Sequence, residues 1–105
     1  MQQSSALATE AEIVQKGLTA PRVTLYMVQE AVIGEQYHIF PGTTLTIACL
    51  QLKNGFTVTG ESACASPANF DKALGERLAK ENAMQKIWAL EGYLLREKLA
   101  FPDGR

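Results

Sequence analysis

Histidine is almost missing from this 105-residue chain, with His38 its single copy, and cysteine appears only as Cys49 and Cys64. A structural zinc centre needs four nitrogen or sulfur ligands, and the sequence supplies at most three. Two thiols are too few for a disulfide framework, and nothing sets His38 beside either of them as a nucleophile's base. They read as small, partly buried thiols kept reduced. No apolar stretch approaches the roughly 20 residues that span a bilayer. Met1 to Glu10 has neither the basic flank nor the apolar run of a signal peptide. Net charge is scarce too: ten Lys and Arg against eleven Asp and Glu leave −1. That excludes a strong non-specific grip on nucleic acid or on an anionic membrane, which needs a clearly basic balance. Phosphate-binding loops, dinucleotide fingerprints, nucleophile elbows and metalloprotease motifs are all absent.

What is present is ordinary for a soluble globular chain: 47% hydrophobic and 20% charged residues. Residues 9–99 read as a single α+β domain, with flexible tails at 1–8 and 100–105. Thr9 and Glu12 have capping-box spacing, which predicts a short helix from Glu10 to Lys16 that stops at Gly17. Thr24 caps a second helix, with Leu25, Val28 and Val32 on one face and Gly34 closing it. A strand over Gln36 to Phe40 runs into a turn at Pro41-Gly42.

Thr43 to Lys53 and Phe56 to Cys64 are β-rich and flank Asn54-Gly55, the strongest short hairpin signal. A two-residue turn sets Lys53 opposite Phe56, Gln51 opposite Val58 and Cys49 opposite Gly60. One face then carries Ile47, Cys49, Phe56 and Val58, and the other Ala48, Leu50, Leu52 and Thr57. Both are half apolar, which predicts a sheet covered on both sides, by helices or by another subunit. Cys64 falls opposite Leu45, too far from Cys49 for a disulfide.

Ser66-Pro67 opens a long helix, with Asn69 and Asp71 as competing caps, and no proline interrupts it before about Leu99. Phe70, Leu74 and Leu78 repeat every four residues in its first half. The second half is apolar over most of its circumference, through Ala83, Met84, Ile87, Trp88, Leu90, Leu94, Leu95 and Leu99. A helix apolar that far round is buried on more than one side, and self-association is the economical cover. Gly92, which costs about 1 kcal/mol relative to Ala in a helix, predicts a close approach there.

Glu61, beside Gly60, and Glu91, beside Gly92, are the acid–base candidates, but no paired group is identifiable from spacing. Ser62, Ser66 and Asn69 cluster at the start of the long helix, where exposed amides favour an anion. Asn82 and Lys86 share a helix face, with Arg96 beyond them, and such a basic row is either a solvated edge or a phosphate grip. Phe56, Phe70 and Tyr93 are core residues or bases' stacking partners.

The run Lys53-Asn54-Gly55-Phe56-Thr57-Val58-Thr59-Gly60-Glu61-Ser62-Ala63-Cys64 resembles the phage gene-product 49/66 family of small bacteriophage proteins. So do Pro67-x-Asn69-Phe70-Asp71, Asn82-Ala83 and Lys86-Ile87-Trp88-x-Leu90-Glu91-Gly92-Tyr93-Leu94-Leu95, and the likeness covers roughly residues 20–99. The family is similar in turn to the first-described Thoeris anti-defence proteins. That resemblance implies a non-enzymatic sponge in the host bacterial cytoplasm, without cofactor or metal. It would sequester cyclic ADP-ribose isomers, or cyclic oligonucleotides, in pockets between subunits of a homo-oligomer, a dimer or an assembly of dimers such as a hexamer. In such sponges arginines grip the pyrophosphate and an aromatic stacks on adenine. This long helix has no Arg–x–x–x–Arg, so the carry-over falls on Asn69, Phe70, Arg77, Asn82, Lys86 and Arg96 as ligand-binding residues. The alternatives are a small accessory module whose apolar helix binds a host protein and, third, an enzyme using Glu61 or Glu91.

Overall fold

The computed structural model describes residues 2–105, with side chains from residue 6 onward. Helix α1 spans Gln2–Gln15. Thr9 and Glu12 therefore lie inside it, and residues 2–8, read as a tail, belong to the helix. The helix formers Ala6, Leu7 and Ala8 carry it past the capping-box signal. Its end is as expected: Gly17 takes φ 67°, and the amides of Gly17 and Leu18 donate to the carbonyls of Val14 and Ile13, at 3.1 and 3.2 Å. That pair of bonds satisfies carbonyls the helix would leave bare.

Helix α2 (Leu25–Ala31) starts at the Thr24 cap, whose hydroxyl accepts from the Met27 amide at 3.1 Å, and buries Leu25, Val28 and Ala31. It stops three residues before Gly34. Strand β1 (Val32–Ile39) follows without a connector, so the predicted strand start at Gln36 is corrected to Val32. The branched side chains of Val32 and Ile33 favour extended backbone. The register shifts between Val32 and Gly34, and this bulge absorbs the change from helix to strand.

Strands β2 (Thr46–Leu52) and β3 (Thr57–Ser62) complete an antiparallel sheet of order β1-β2-β3. The hairpin register differs by one residue from the sequence expectation: Gln51 pairs with Thr57, Leu50 with Val58, Cys49 with Thr59 and Ala48 with Gly60. Only Gly55 takes a positive φ, 89°, and Asn54 does not. Asn54 instead accepts from the Phe56 amide through Oδ1 at 3.0 Å. The Gly55 amide bonds the Leu52 carbonyl, and the Leu52 amide bonds the Phe56 carbonyl. This is a three-residue loop, a tight turn followed by a glycine bulge. A one-residue slip exchanges the faces of a strand. Ala48, Leu50, Leu52 and Val58 are thus buried together, while Gln51, Thr57 and Thr59 point outward with the half-buried Ile47 and Cys49. Within this chain one face is covered and the other is open. Both cysteines are free.

Pro67–Asn69 makes a short 3-10 turn, and helix α3 runs from Lys72 to Ala100 behind an Asp71 cap. The Asp71 carboxylate accepts from the Leu74 amide at 2.8 Å. Helix α3 lies across the covered sheet face on a stripe of small residues. A Cβ at Gly60 would overlap the Ala83 nitrogen and the Ala79 carbonyl oxygen. Gly75 sits over Thr46 and Ser62 and accepts the Ser62 hydroxyl at 2.8 Å. Val28, Leu50, Leu52, Val58, Ala83, Met84 and Ile87 form the core. Lys80 reaches the β1 edge, donating to Glu35 at 2.9 Å, and the Tyr37 hydroxyl donates to the same carboxylate at 2.7 Å. The Lys80 ammonium, helped by that hydroxyl, holds Glu35 below the usual carboxylate range, while burial and the Glu35 charge push the Tyr37 phenol well up.

Beyond Leu90 the helix leaves the core: Tyr93, Leu94, Leu99 and the following Phe101 are all exposed. Residues 101–105, read as a tail, turn back so that Arg105 pairs with Glu97 and lies over the Phe101 ring. The radius of gyration is 16.4 Å, with principal extents of 51, 33 and 19 Å. A compact domain of this length has about 13 Å.

Candidate functional site

Three elements remote in sequence meet beside the point where α3 leaves the core. Helix α2 turns Leu25 and Val28 inward, which leaves Tyr26 and Glu30 on its outer side. The hairpin bulge presents Phe56 beside Lys53 and Asn54. The distal part of α3 adds Leu90, Glu91, Tyr93 and Leu94. Between them lies a groove of about 650 Å³, within the size range of small-molecule sites. Phe56 and Leu90 also border a shallower groove of about 550 Å³, whose far wall is Lys86, Ala89, Thr57 and Thr59. The two make one furrow around the hairpin tip. Tyr26, Phe56 and Tyr93 are 69%, 55% and 64% exposed, so three aromatic faces stand open in or beside it.

Ion pairs are unevenly distributed along the chain, and the one unpaired cation among the furrow's described lining residues is Lys86. Lys16, Arg22, Lys53, Lys72, Arg77, Lys80 and Arg105 each pair with a carboxylate. Lys86, Arg96 and Lys98 make no ion pair among the described residues, and all three are exposed on the distal half of α3. The carboxylates near the furrow are Glu30, 4.0 Å from the Lys53 ammonium, and half-buried Glu91.

The six residues carried over from the family resemblance do not converge within one chain. Asn69 and Phe70 line a small cleft of about 70 Å³ with Cys64, Leu74 and Leu78. Arg77 pairs with Glu81, which is buried. Asn82 donates to the Glu61 carbonyl at 2.8 Å, tying α3 to the edge of β3. Lys86 lines the shallow groove, and Arg96 lies ten residues further along α3. From Lys72 to Arg96 the helix rises about 36 Å, which separates Asn69 and Phe70 from the distal cations. The anion site expected at the start of α3 is occupied by the Asp71 carboxylate, and Ser66 makes no side-chain cap. Tyr26, Met27 and Lys53 went unread as site residues. Tyr26 carries a signal, since it is a large aromatic on the outer side of a helix whose inner side is Leu25 and Val28.

The profile of the phage protein (N4 Gp49/phage Sf6 gene 66) family matches residues 23–99. The chain belongs to this family. The matched segment begins just before α2 and ends within the last turn of α3, so it contains the sheet and every residue of the furrow, and leaves out α1. No curated protein and no solved structure matches the chain. Among the described residues no group of three or more His, Cys, Asp or Glu side chains gathers as metal ligands would, and no helix is long and apolar enough to cross a membrane.

Proposed function

We propose that this protein is a phage counter-defence sponge acting in the host cytoplasm. It binds cyclic ADP-ribose isomers or cyclic oligonucleotides and holds them without a chemical step, as a homo-oligomer. The observation that carries this reading is the unpaired Lys86 on α3 beside the furrow that the hairpin's Phe56 and the helix's Tyr93 border, with the unpaired Arg96 and Lys98 further along the same helix. Cations without internal partners are free to make charge-assisted hydrogen bonds to phosphate, and exposed aromatic faces stack on bases irrespective of sequence. The furrow is open along one side, and a second copy supplies the missing wall. Calorimetry with cyclic ADP-ribose isomers and cyclic oligonucleotides tests the assignment. Lys86→Glu and Arg96→Glu each weaken binding by about 10- to 100-fold and leave the circular dichroism unchanged. Ligand released by heating the complex is recovered intact; a cleaved product overturns the sponge reading.

A second reading, an interaction module for a host protein, is favoured by the apolar lining that Tyr26, Met27, Phe56, Leu90 and Leu94 give the deeper groove. Thermal stabilisation by none of the cyclic nucleotides decides for it.

A further inference from the structure

The furrow around the hairpin tip is divided in charge. Its shallow half is lined by the unpaired Lys86 and by no carboxylate. The deeper groove reverses the sign: Glu30 and Glu91 line it against the ammonium of Lys53, which Glu30 already meets at 4.0 Å. Glu91 differs from the other acids of the molecule. Among the described residues every other Asp or Glu either pairs with a cation or is exposed, whereas half-buried Glu91 makes neither an ion pair nor a side-chain hydrogen bond. Its neighbour Gly92 adds no cover: a Cβ there meets no atom within 4 Å, so the close approach expected at a helical glycine is not made within the chain. Around Glu91 the groove is apolar and aromatic, through Tyr26 from α2, Phe56 from the hairpin, and Leu90, Tyr93 and Leu94 from α3. Arg105 reaches the Tyr93 hydroxyl at 3.4 Å, but its charge is met by Glu97.

We infer that the deeper groove takes a basic, amphipathic segment of a partner protein, with an arginine or lysine set among apolar residues. Charge complementarity selects this occupant. A purely apolar partner strips water from Glu91 and leaves its carboxylate unpaired, which is costly. A phosphate is repelled by Glu91 and Glu30 together. A cation on an aliphatic stem suits every wall. The stem packs on Leu90 and Leu94, the head donates to Glu91, and the faces of Tyr26, Phe56 and Tyr93 attract the same charge. One such side chain does not fill about 650 Å³, so apolar neighbours on the same segment occupy the rest, as in other peptide grooves. The inference rests on the interaction reading of this groove and names the partner's chemistry. It is independent of the sponge, whose anion contacts start at Lys86.

Selection of yeast-displayed random dodecapeptides on the full chain tests it. The wild type enriches peptides in which Arg or Lys is flanked by apolar residues, and Glu91→Lys loses that enrichment or exchanges it for Asp and Glu. In fluorescence anisotropy Glu91→Gln weakens the selected peptide by about 10-fold, whereas the same peptide with citrulline at the basic position binds wild type and Glu91→Gln equally. Lys86→Gln, in the shallow half, leaves the affinity of the basic peptide unchanged. The citrulline substitution is made in the peptide, so a folding defect in a protein variant leaves the question decidable. Enrichment of apolar or acidic peptides, or equal affinity of the basic peptide for wild type and Glu91→Gln, overturns the inference and leaves the interaction reading in place; enrichment of no peptide removes both. Light scattering and calorimetry on the same samples identify the other occupants. A self-associated chain that selects no peptide assigns the groove to a second copy, and cyclic-nucleotide binding that Glu91→Gln abolishes assigns it to that ligand; either result overturns the inference. Failure of the sponge is separate, showing as absent nucleotide heat beside an unchanged peptide result.

Discussion

Gly60 and Gly92 are both single hydrogen atoms in place of side chains, in opposite surroundings. At Gly60 the neighbour is helix backbone, which cannot rotate out of the way, and an added methyl has to push α3 off the sheet. Gly60→Ala is therefore expected to destabilise the fold by roughly 3 kcal/mol, the upper end of the overpacking range, measured as a lower urea midpoint. The same substitution at solvent-facing Gly42, where φ is 78° and nothing lies within 4 Å, acts only through backbone strain and is smaller. Read as sequence, Gly60 only marks Glu61 as an acid–base candidate, when the space at the glycine is filled by Ala79 and Ala83. Glycine's smallness was legible; what uses it was not, because the answer lies some twenty residues further along the chain. Cap residues are the contrary case. Thr24 and Gly17 act on amides and carbonyls within a few positions, and each does what its local sequence predicts.

The same division holds for elements. The long helix was legible because its apolar spacing and lack of proline are properties of one continuous segment. The hairpin was legible as a hairpin, but its register hung on whether Asn54 takes a positive φ, and its side chain's bond to Phe56 stabilises the other turn. The furrow, built by α2, the hairpin bulge and α3, has no contiguous signature at all, and of its aromatic residues only Phe56 and Tyr93 were read as stacking candidates. Helix α1 is attached chiefly by one side chain. Both Glu10 oxygens accept from Arg22, at 2.9 and 2.8 Å, and Oε1 also accepts from the Leu25 amide at 2.9 Å. The Arg22 guanidinium, and then the Leu25 amide, hold the Glu10 carboxyl below its ordinary 4.5. A depressed folded-state value means the attachment contributes fully above 4.5 and is lost as the pH falls through the lower value. The protection of the Leu25 amide against hydrogen exchange, taken relative to the intrinsic rate at each pH, is expected to fall on that acid side. Arg22→Ala gives the same loss of protection at neutral pH.

At the scale of the molecule the chain divides into an anchored half and a projecting half. The anchored half has the core, the small-residue stripe and the Glu35–Lys80 bridge. The projecting half carries Tyr93, Leu94, Leu99 and Phe101, four large exposed side chains that contribute little to the fold of one chain. Leu94→Ser is accordingly expected to leave the urea midpoint within about 0.5 kcal/mol of wild type, as surface changes do. It lowers the fluorescence of a hydrophobic dye that binds the furrow. A fall in stability of several kcal/mol would place Leu94 in a core that the fold does not show.

The way α3 rests on the sheet bears on how such a chain can diversify. Its footing, Gly75, Ala79 and Ala83 against Gly60, admits almost no change of side-chain size, whereas the turns after Leu90 have few neighbours to disturb. Substitutions there alter what the molecule touches without reopening its interior. A lineage built on this plan can exchange one ligand or partner for another while inheriting the same scaffold.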